Sequence, residues 1–335
     1  MRAFRQMMIA TAFLLLAVGA AAEPLVAPDY RLETVRVPGA AFAGLSRDGD
    51  ALLVTDLVNG RLYRRMPSGE LVAFGPTFPH GLDVTGDPTG PYRVLRAGDD
   101  LIVAQGWTPA NFDEGPYDHA LVAINGAGER RVISADFWNP FDLVMTDDAY
   151  YVVDSARNSV ERLGADGRKQ TLMSFRRMRQ QATAMETLSP TEFKGEDSYE
   201  VDAVPTGIAL RDGRLVVTLF GGFPFLAGAG KVVSISEKGE DAAPRPDVEG
   251  LNAPVAVAFD PEGRLLILEH GLYDQQQGFR PESGRLLRFD EATGRREIVL
   301  DGLTRPVSVL VWDRRQIVVS ELGGTLLFLS RDEGR

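Results

Sequence analysis

One unit recurs along almost the whole chain. Each copy has an apolar strand, often entered by proline, then a polar Gly or Asp turn and a β-branched strand ending near an acid. A third strand and a shorter fourth follow, separated by further polar Gly turns. The first copy runs from Ala41 to Gly75, the second from Gly90 to Ser134 and the third from Asn139 to Phe175. The fourth begins at Val204, the fifth at Ala253 and the sixth at Arg305. Anchored on Pro91, Pro140, Pro205, Pro254 and Pro306, the spacings are 49, 65, 49 and 52 residues, so one connection holds an insertion. Four strands in about 45 to 50 residues, repeated, specify propeller blades rather than a sandwich, whose strands carry no internal copy. An apolar period of 2 rather than 3.6 excludes a helical solenoid. The expected fold is an all-β, six-bladed β-propeller.

The sixth copy stops after its third strand, while Tyr30–Val37 (YRLETVRV) is a strand without a blade. Placed as the outer strand of blade six, it would join the two ends of the ring and hide both edges. The connection at 176–203 breaks the pattern: RRMRQQATAMETL is rich in helix formers and Ser189-Pro190 would end them, so a helical insertion is expected there.

The first 22 residues read as a signal peptide, with Arg2 and Arg5, an apolar stretch from Ile9 to Val18, and Ala20-Ala21-Ala22 before a cleavage site at Glu23. The apolar stretch is shorter than the ~20 residues that span a bilayer, and no later stretch is long enough. The expectation is a periplasmic or secreted, monomeric propeller of residues 23–335 with no membrane span. The chain has no cysteine, which excludes thiol nucleophiles, thiolate metal sites and disulfide staples. Without the leader, 34 basic residues face 47 acidic ones, a formal charge of −13 that argues against nucleic acid as a partner.

Propellers hold ligands where the inner strands begin and connecting loops converge on the channel. That places His80, Asn139, Asp142, Thr206, Asn252 and Arg305 among the candidates. Loop aromatics beside Gly and Pro suit recognition of a small apolar molecule or a peptide; they include Trp107, Phe223, Phe225 and Tyr273. The acids ending second strands, Asp56, Asp154, Glu269 and Glu321, would form a charged mouth, but short acids at strand ends bind local backbone first. Glu269-His270 resembles an acid and base pair, yet neighbours on a strand point to opposite faces and form no dyad unless the strand has ended. No G-x-S-x-G nucleophile signature occurs.

The strings PTGIALRDGRLVVT and APVAVAFDPEGRLLILE resemble NHL-type and gluconolactonase-type repeats. Closer is the ScyD/ScyE family of exported propellers, named after scytonemin-biosynthesis proteins of cyanobacteria. The chain is similar to it in Val204-Pro205-Thr206-Gly207, in Gly222-Phe223-Pro224-Phe225 with Ala227-Gly228-Ala229-Gly230 after it, and in the closing blades from Phe259 to Val311. The resemblance covers roughly residues 40 to 330 and names a fold rather than an activity. It implies a binding or scaffold protein for a small molecule or protein on the loop face. Two enzymes on the same architecture stand as alternatives. A gluconolactonase-like hydrolase would hold a divalent cation such as Ca²⁺ with Glu, Asn and Asp side chains, for which Asn139, Asn252 and Asp142 are the available donors. A quinoprotein-type sugar dehydrogenase would need Arg and Lys clamping a cofactor beside a histidine, and the chain has four Lys.

Overall fold

The computed structural model describes residues 23–83, 86–106, 117–181 and 198–331. Six antiparallel sheets follow the successive copies of the repeat, five of them four-stranded and one five-stranded. Blade one comprises Phe42–Asp48, Ala51–Asp56, Arg61–Arg65 and Leu71–Phe74. Blade two comprises Pro91–Ala97, Asp100–Gln105, Ala120–Ile124 and Arg130–Ser134; blade three runs from Pro140 to Ser174 and blade four from Pro205 to Leu251. Blade five runs from Pro254 to Leu303, and blade six holds Pro306–Val311, Gln316–Glu321 and Thr325–Arg331. Each inner strand packs beside the inner strand of the next blade, and that of blade six beside that of blade one, so the ring closes.

The second strands explain how the ring is held. ALLVTD, DLIVAQ, AYYVVD and LLILE are apolar almost throughout because both of their faces are covered. Successive side chains point to opposite neighbours. Leu53 joins Val94, Val103 and Val122 between blades one and two, whereas Val54 joins Val318, Leu326 and Phe328 between blades six and one. Equivalent apolar layers fill the other four blade junctions. Apolar burial of this kind contributes about 25 cal/mol per Å².

Tyr30–Arg36 is the outer strand of blade six, in register from Tyr30 opposite Arg331 to Arg36 opposite Thr325. The chain's start does more than the repeat foretells: Leu25–Val26 adds a fifth strand to blade five, with Leu25 opposite Asp301. The expected helical insertion is corrected. Met178–Gln181 is a strand paired with Ser198–Val201, and 182–197 lie outside the described residues. Tertiary context outweighs propensity there: Gln180 is buried and accepts the Tyr199 hydroxyl, while Met178 meets Gly221. The expected leader at 1–22 also lies outside the described residues. Among the described residues no helix is long and apolar enough to cross a membrane.

The two faces of the ring differ. First-to-second and third-to-fourth turns lie on one face and are mostly tight, such as Asp48–Ala51 and Asp260–Arg264. Second-to-third turns and blade-to-blade connections lie on the other. That face carries the hairpin Gly81–Leu82/Pro88–Thr89, the pair at 178–201, the GFPF segment and the hairpin Tyr273–Asp274/Gly278–Phe279. Loops elaborated on one face of a rigid scaffold are where binding groups are carried.

Candidate functional site

The same joint is made six times on the elaborated face. The residue leading into each inner strand presents its carbonyl to the amide of the residue leaving the second strand. The pairs are Ala41 with Leu57, Gly90 with Gly106, Asn139 with Ser155, Val204 with Phe220, Ala253 with His270, and Arg305 with Leu322. The acids just before the leaving residue secure the joint. Asp56 accepts from Ala41 N, Asp154 from Trp138 N and Asn139 N, Glu269 from Asn252 N, and Glu321 from Thr304 N. Burial pushes the Asp154 and Glu321 carboxyls up. The four acids thus bind local backbone.

These twelve positions are equivalent in backbone and diversified in side chain. Asn139 and Ser155 in blade three, and His270 and Arg305 in blades five and six, are polar, while Leu57, Val204, Phe220 and Leu322 are apolar. All eight line a cavity of about 470 Å³ at the channel mouth, in the range of small-molecule sites. Its floor is the next residue but one along the inner strands of blades two to six, Tyr92, Phe141, Thr206, Val255 and Val307. The Tyr92 and Phe141 rings stack with centroids 4.5 Å apart. Burial raises the Tyr92 hydroxyl's pKa, so it is neutral, and it is hydrogen-bonded to the Asn139 side chain. Gly106 is required beside them: a Cβ there would lie 2.2 Å from the Tyr92 ring and 2.6 Å from Asn139 Oδ1.

One wall is an aromatic cluster that welds two loops together. Phe225 meets Phe220 at 5.6 Å, Tyr273 at 5.0 Å and Phe279 at 5.3 Å. Aromatic contacts of this kind are worth about 0.5–1.5 kcal/mol beyond area. His270 sits among them, its ring 4.6 Å from Phe279 and perpendicular to it. It is 5 % exposed. Its Nδ1 lies 2.8 Å from the Pro306 carbonyl, which only accepts, so the proton is on Nδ1 and Nε2 carries the lone pair. The Arg305 Nε stands 3.5 Å from that Nε2, and Arg305 is held by a 2.6 Å ion pair to Asp87 on the first hairpin. Arg305, like Val204 and Ala253 at the same position of blades four and five, has positive φ, a costly conformation for such residues.

Burial, with Arg305 adding to it, depresses the His270 pKa to about 3 from 6.5. The unfolded chain therefore takes up this proton below about pH 6.5 and the folded chain only near 3. The stability at stake is fully present above pH 6.5 and falls as pH drops, by at most ~1.4 kcal/mol per unit. Melts of wild type and His270→Gln from pH 7.5 to 4.5 should diverge, the wild type losing more; parallel curves would contradict a neutral buried imidazole. The raised carboxyls of Asp142, Asp154 and Glu321 tilt the opposite way but are common to both proteins.

The structure places the sequence candidates unequally. Asn139, Thr206, Phe225, His270 and Arg305 line the cavity, and Phe223 packs against Phe225 and Tyr273 at its outer edge. His80 does not lead an inner strand; Gly90 holds that place, and His80 turns its Nδ1 to the Phe78 carbonyl. Asn252 stands one residue before the joint, accepting from Gly228 N. Glu269 ends its strand and turns to Asn252 N and Arg285, so it forms no dyad with His270. Trp107 lies outside the described residues. Asp142 lies below the cavity floor. Its Oδ1 is 3.3 Å from Arg93 Nε and accepts from Leu143 N, and its Oδ2 accepts from Ile208 N.

These commitments leave no convergent donor set for a hard cation. Among the described residues no group of three His, Cys, Asp or Glu is placed to hold a metal ion, and Asn139, Asp142 and Asn252 do not meet. A single guanidinium beside His270 is also no clamp for a quinone. Asp87, Phe220 and Phe279 escaped the sequence reading. Aligning the copies with Leu219 at the place that Asp56, Asp154, Glu269 and Glu321 hold in the other blades would have set Phe220 beside His270, whereas Asp87 reaches Arg305 across 218 residues.

No protein-family model matches the sequence, and no curated protein matches it. Solved structures match over most of their length. A gluconolactonase from Xanthomonas campestris is 14 % identical with a TM-score of 0.58, covering 92 % of this chain and 95 % of its own. A streptogramin B lyase is 14 % identical with a TM-score of 0.54, covering 90 % and 98 %. A protein of unknown function from Bacteroides thetaiotaomicron is 10 % identical with a TM-score of 0.59, covering 91 % and 77 %. At these identities the likeness is one of fold, and it agrees with the six blades.

Proposed function

We propose that the chain is a small-molecule binding propeller whose site is the cavity at the channel mouth on the elaborated face. The observation that carries this reading is the chemical diversification of one repeated joint. Six equivalent joints place Asn139, Ser155, His270 and Arg305 beside Leu57, Val204, Phe220 and Leu322 around a space of about 470 Å³, with the aromatic wall built on Phe220 and His270. A joint serving the ring alone would have no use for such differences. Kinship to the ScyD/ScyE propellers, through Val204–Gly207 and the GFPF wall, and export by the leader at 1–22 belong to the same reading. The test is a thermal-shift screen with small aromatic compounds. A ligand at a hundred times its Kd stabilises by about 2.7 kcal/mol. Hits are expected to stabilise the wild type, to lose that effect in Leu322→Trp, which fills the mouth, and to keep it in Asp147→Asn on the opposite face. A screen without hits, or hits indifferent to Leu322→Trp, would contradict it.

The hydrolase reading has one observation in its favour, the unprotonated His270 Nε2 beside the Arg305 guanidinium. Lactone turnover that disappears in His270→Gln would favour it over binding alone.

A further inference from the structure

We infer that Val204 sets the width of the apolar group that the cavity admits, an inference that rests on the binding reading above. Three of the eight non-glycine residues with positive φ among the described residues line the cavity: Val204 at 48°, Phe225 at 53° and Arg305 at 52°. Side chains crowd the backbone in that region, and a β-branched one does so most. Such strain gathers where a ligand is gripped. Two of the three side chains are accounted for within the protein. Phe225 is locked among Phe220, Tyr273 and Phe279, and Arg305 holds Asp87.

Val204 is placed differently. It leads into the inner strand of blade four, half-buried, and belongs to none of the apolar layers that fill the blade junctions. Its amide donates to Asn158 Oδ1 at 2.8 Å, and its carbonyl accepts from Phe220 N at 3.0 Å. Both bonds are made by backbone, so a glycine would keep them and shed the strain. What a glycine would lose is two methyl groups on the cavity wall. Ala253 supplies the contrast: it makes the same joint at a φ of 46°, but its side chain does not line the cavity. An apolar group of the ligand seated against the Val204 methyls accounts for a branched residue where the backbone favours glycine.

The experiment titrates the full chain by NMR with benzyl alcohol and with 2-naphthalenemethanol and reads the ratio of their affinities. Carbon gained or lost against an apolar wall changes affinity by about tenfold. Val204→Gly should raise the naphthyl-to-benzyl ratio by about that factor, and Val204→Leu should lower it. Ala253→Gly, which frees the same backbone, should leave the ratio unchanged. Val204→Gly is also expected to melt no lower than the wild type, because the side chain it removes packs no blade. A ratio unmoved by both Val204 variants, a ratio moved as far by Ala253→Gly, or a Val204→Gly chain that melts well below the wild type would overturn the inference while leaving the cavity as the site. A wild type that binds neither probe would overturn it as well and, together with a failed aromatic screen, the binding reading itself.

Discussion

Arg93→Leu should cost up to about 3–5 kcal/mol at pH 7.5, the loss expected for a fully buried ion pair left with one partner, Arg93 and Asp142 being 16 % and 14 % exposed. Arg93 rises from the inner strand of blade two, beneath the cavity floor. Its Nε is 3.3 Å from Asp142 in blade three, and its Nη1 bonds Ser308 Oγ in blade six. Blade one stands between blades two and six, and at this level it offers Gly44, which has no side chain to block the reach. A Cβ at Gly44 would lie 2.3 Å from the Tyr92 carbonyl oxygen. Asp142 extends the network to blade four through Ile208 N. One guanidinium and one carboxylate therefore tie four of the six inner strands across the axis.

Burial already pushes the Asp142 carboxyl up against the pull of Arg93. Without Arg93 it rises further, so the penalty is largest at high pH and shrinks as the medium is acidified and Asp142 takes a proton. Chemical denaturation of Arg93→Leu at pH 7.5 and 5 measures both effects. Arg93→Leu/Asp142→Leu should recover much of the loss, because two apolar groups leave no orphaned charge. A single variant as stable as the wild type, or a double variant worse than the single, would show that the network does not hold the inner strands.

How much of this was legible beforehand differs from element to element. The blades were, because proline entries, Gly turns and β-branched second strands recur with the same spacing, and each copy repeats the physics of the last. The closing strand was legible from a deficit, three strands in the last copy against one spare at the start. Leu25–Val26 was not, since two residues carry no period. The insertion misled for a physical reason: helix formers such as Met178 and Gln180 follow their surroundings when they meet Gly221 and Tyr199. At the site, Asn139, Thr206, Phe225, His270 and Arg305 fell in loops or at strand starts that the repeat locates. Their roles were not readable, because the tautomer of His270 is set by Pro306 and the pairing of Arg305 by Asp87, contacts 36 and 218 residues apart.

Everything placed at the mouth depends on the ring being closed by its own beginning. Tyr30 is buried, Leu32 and Val35 are partly buried, and seven residue pairs run along the ladder. Removing them forfeits on the order of 5 kcal/mol of apolar burial alone, against a total stability of about 5–15 kcal/mol for a typical protein. It also bares the long apolar edge Thr325–Arg331, an invitation to association. The direct measurement compares a chain starting at Glu23 with one starting at Val37, with and without a peptide of residues 23–37. The account predicts that the shorter chain melts far lower or aggregates, and that the peptide binds it and restores the melt. A shorter chain that melts like the longer one and ignores the peptide would contradict it.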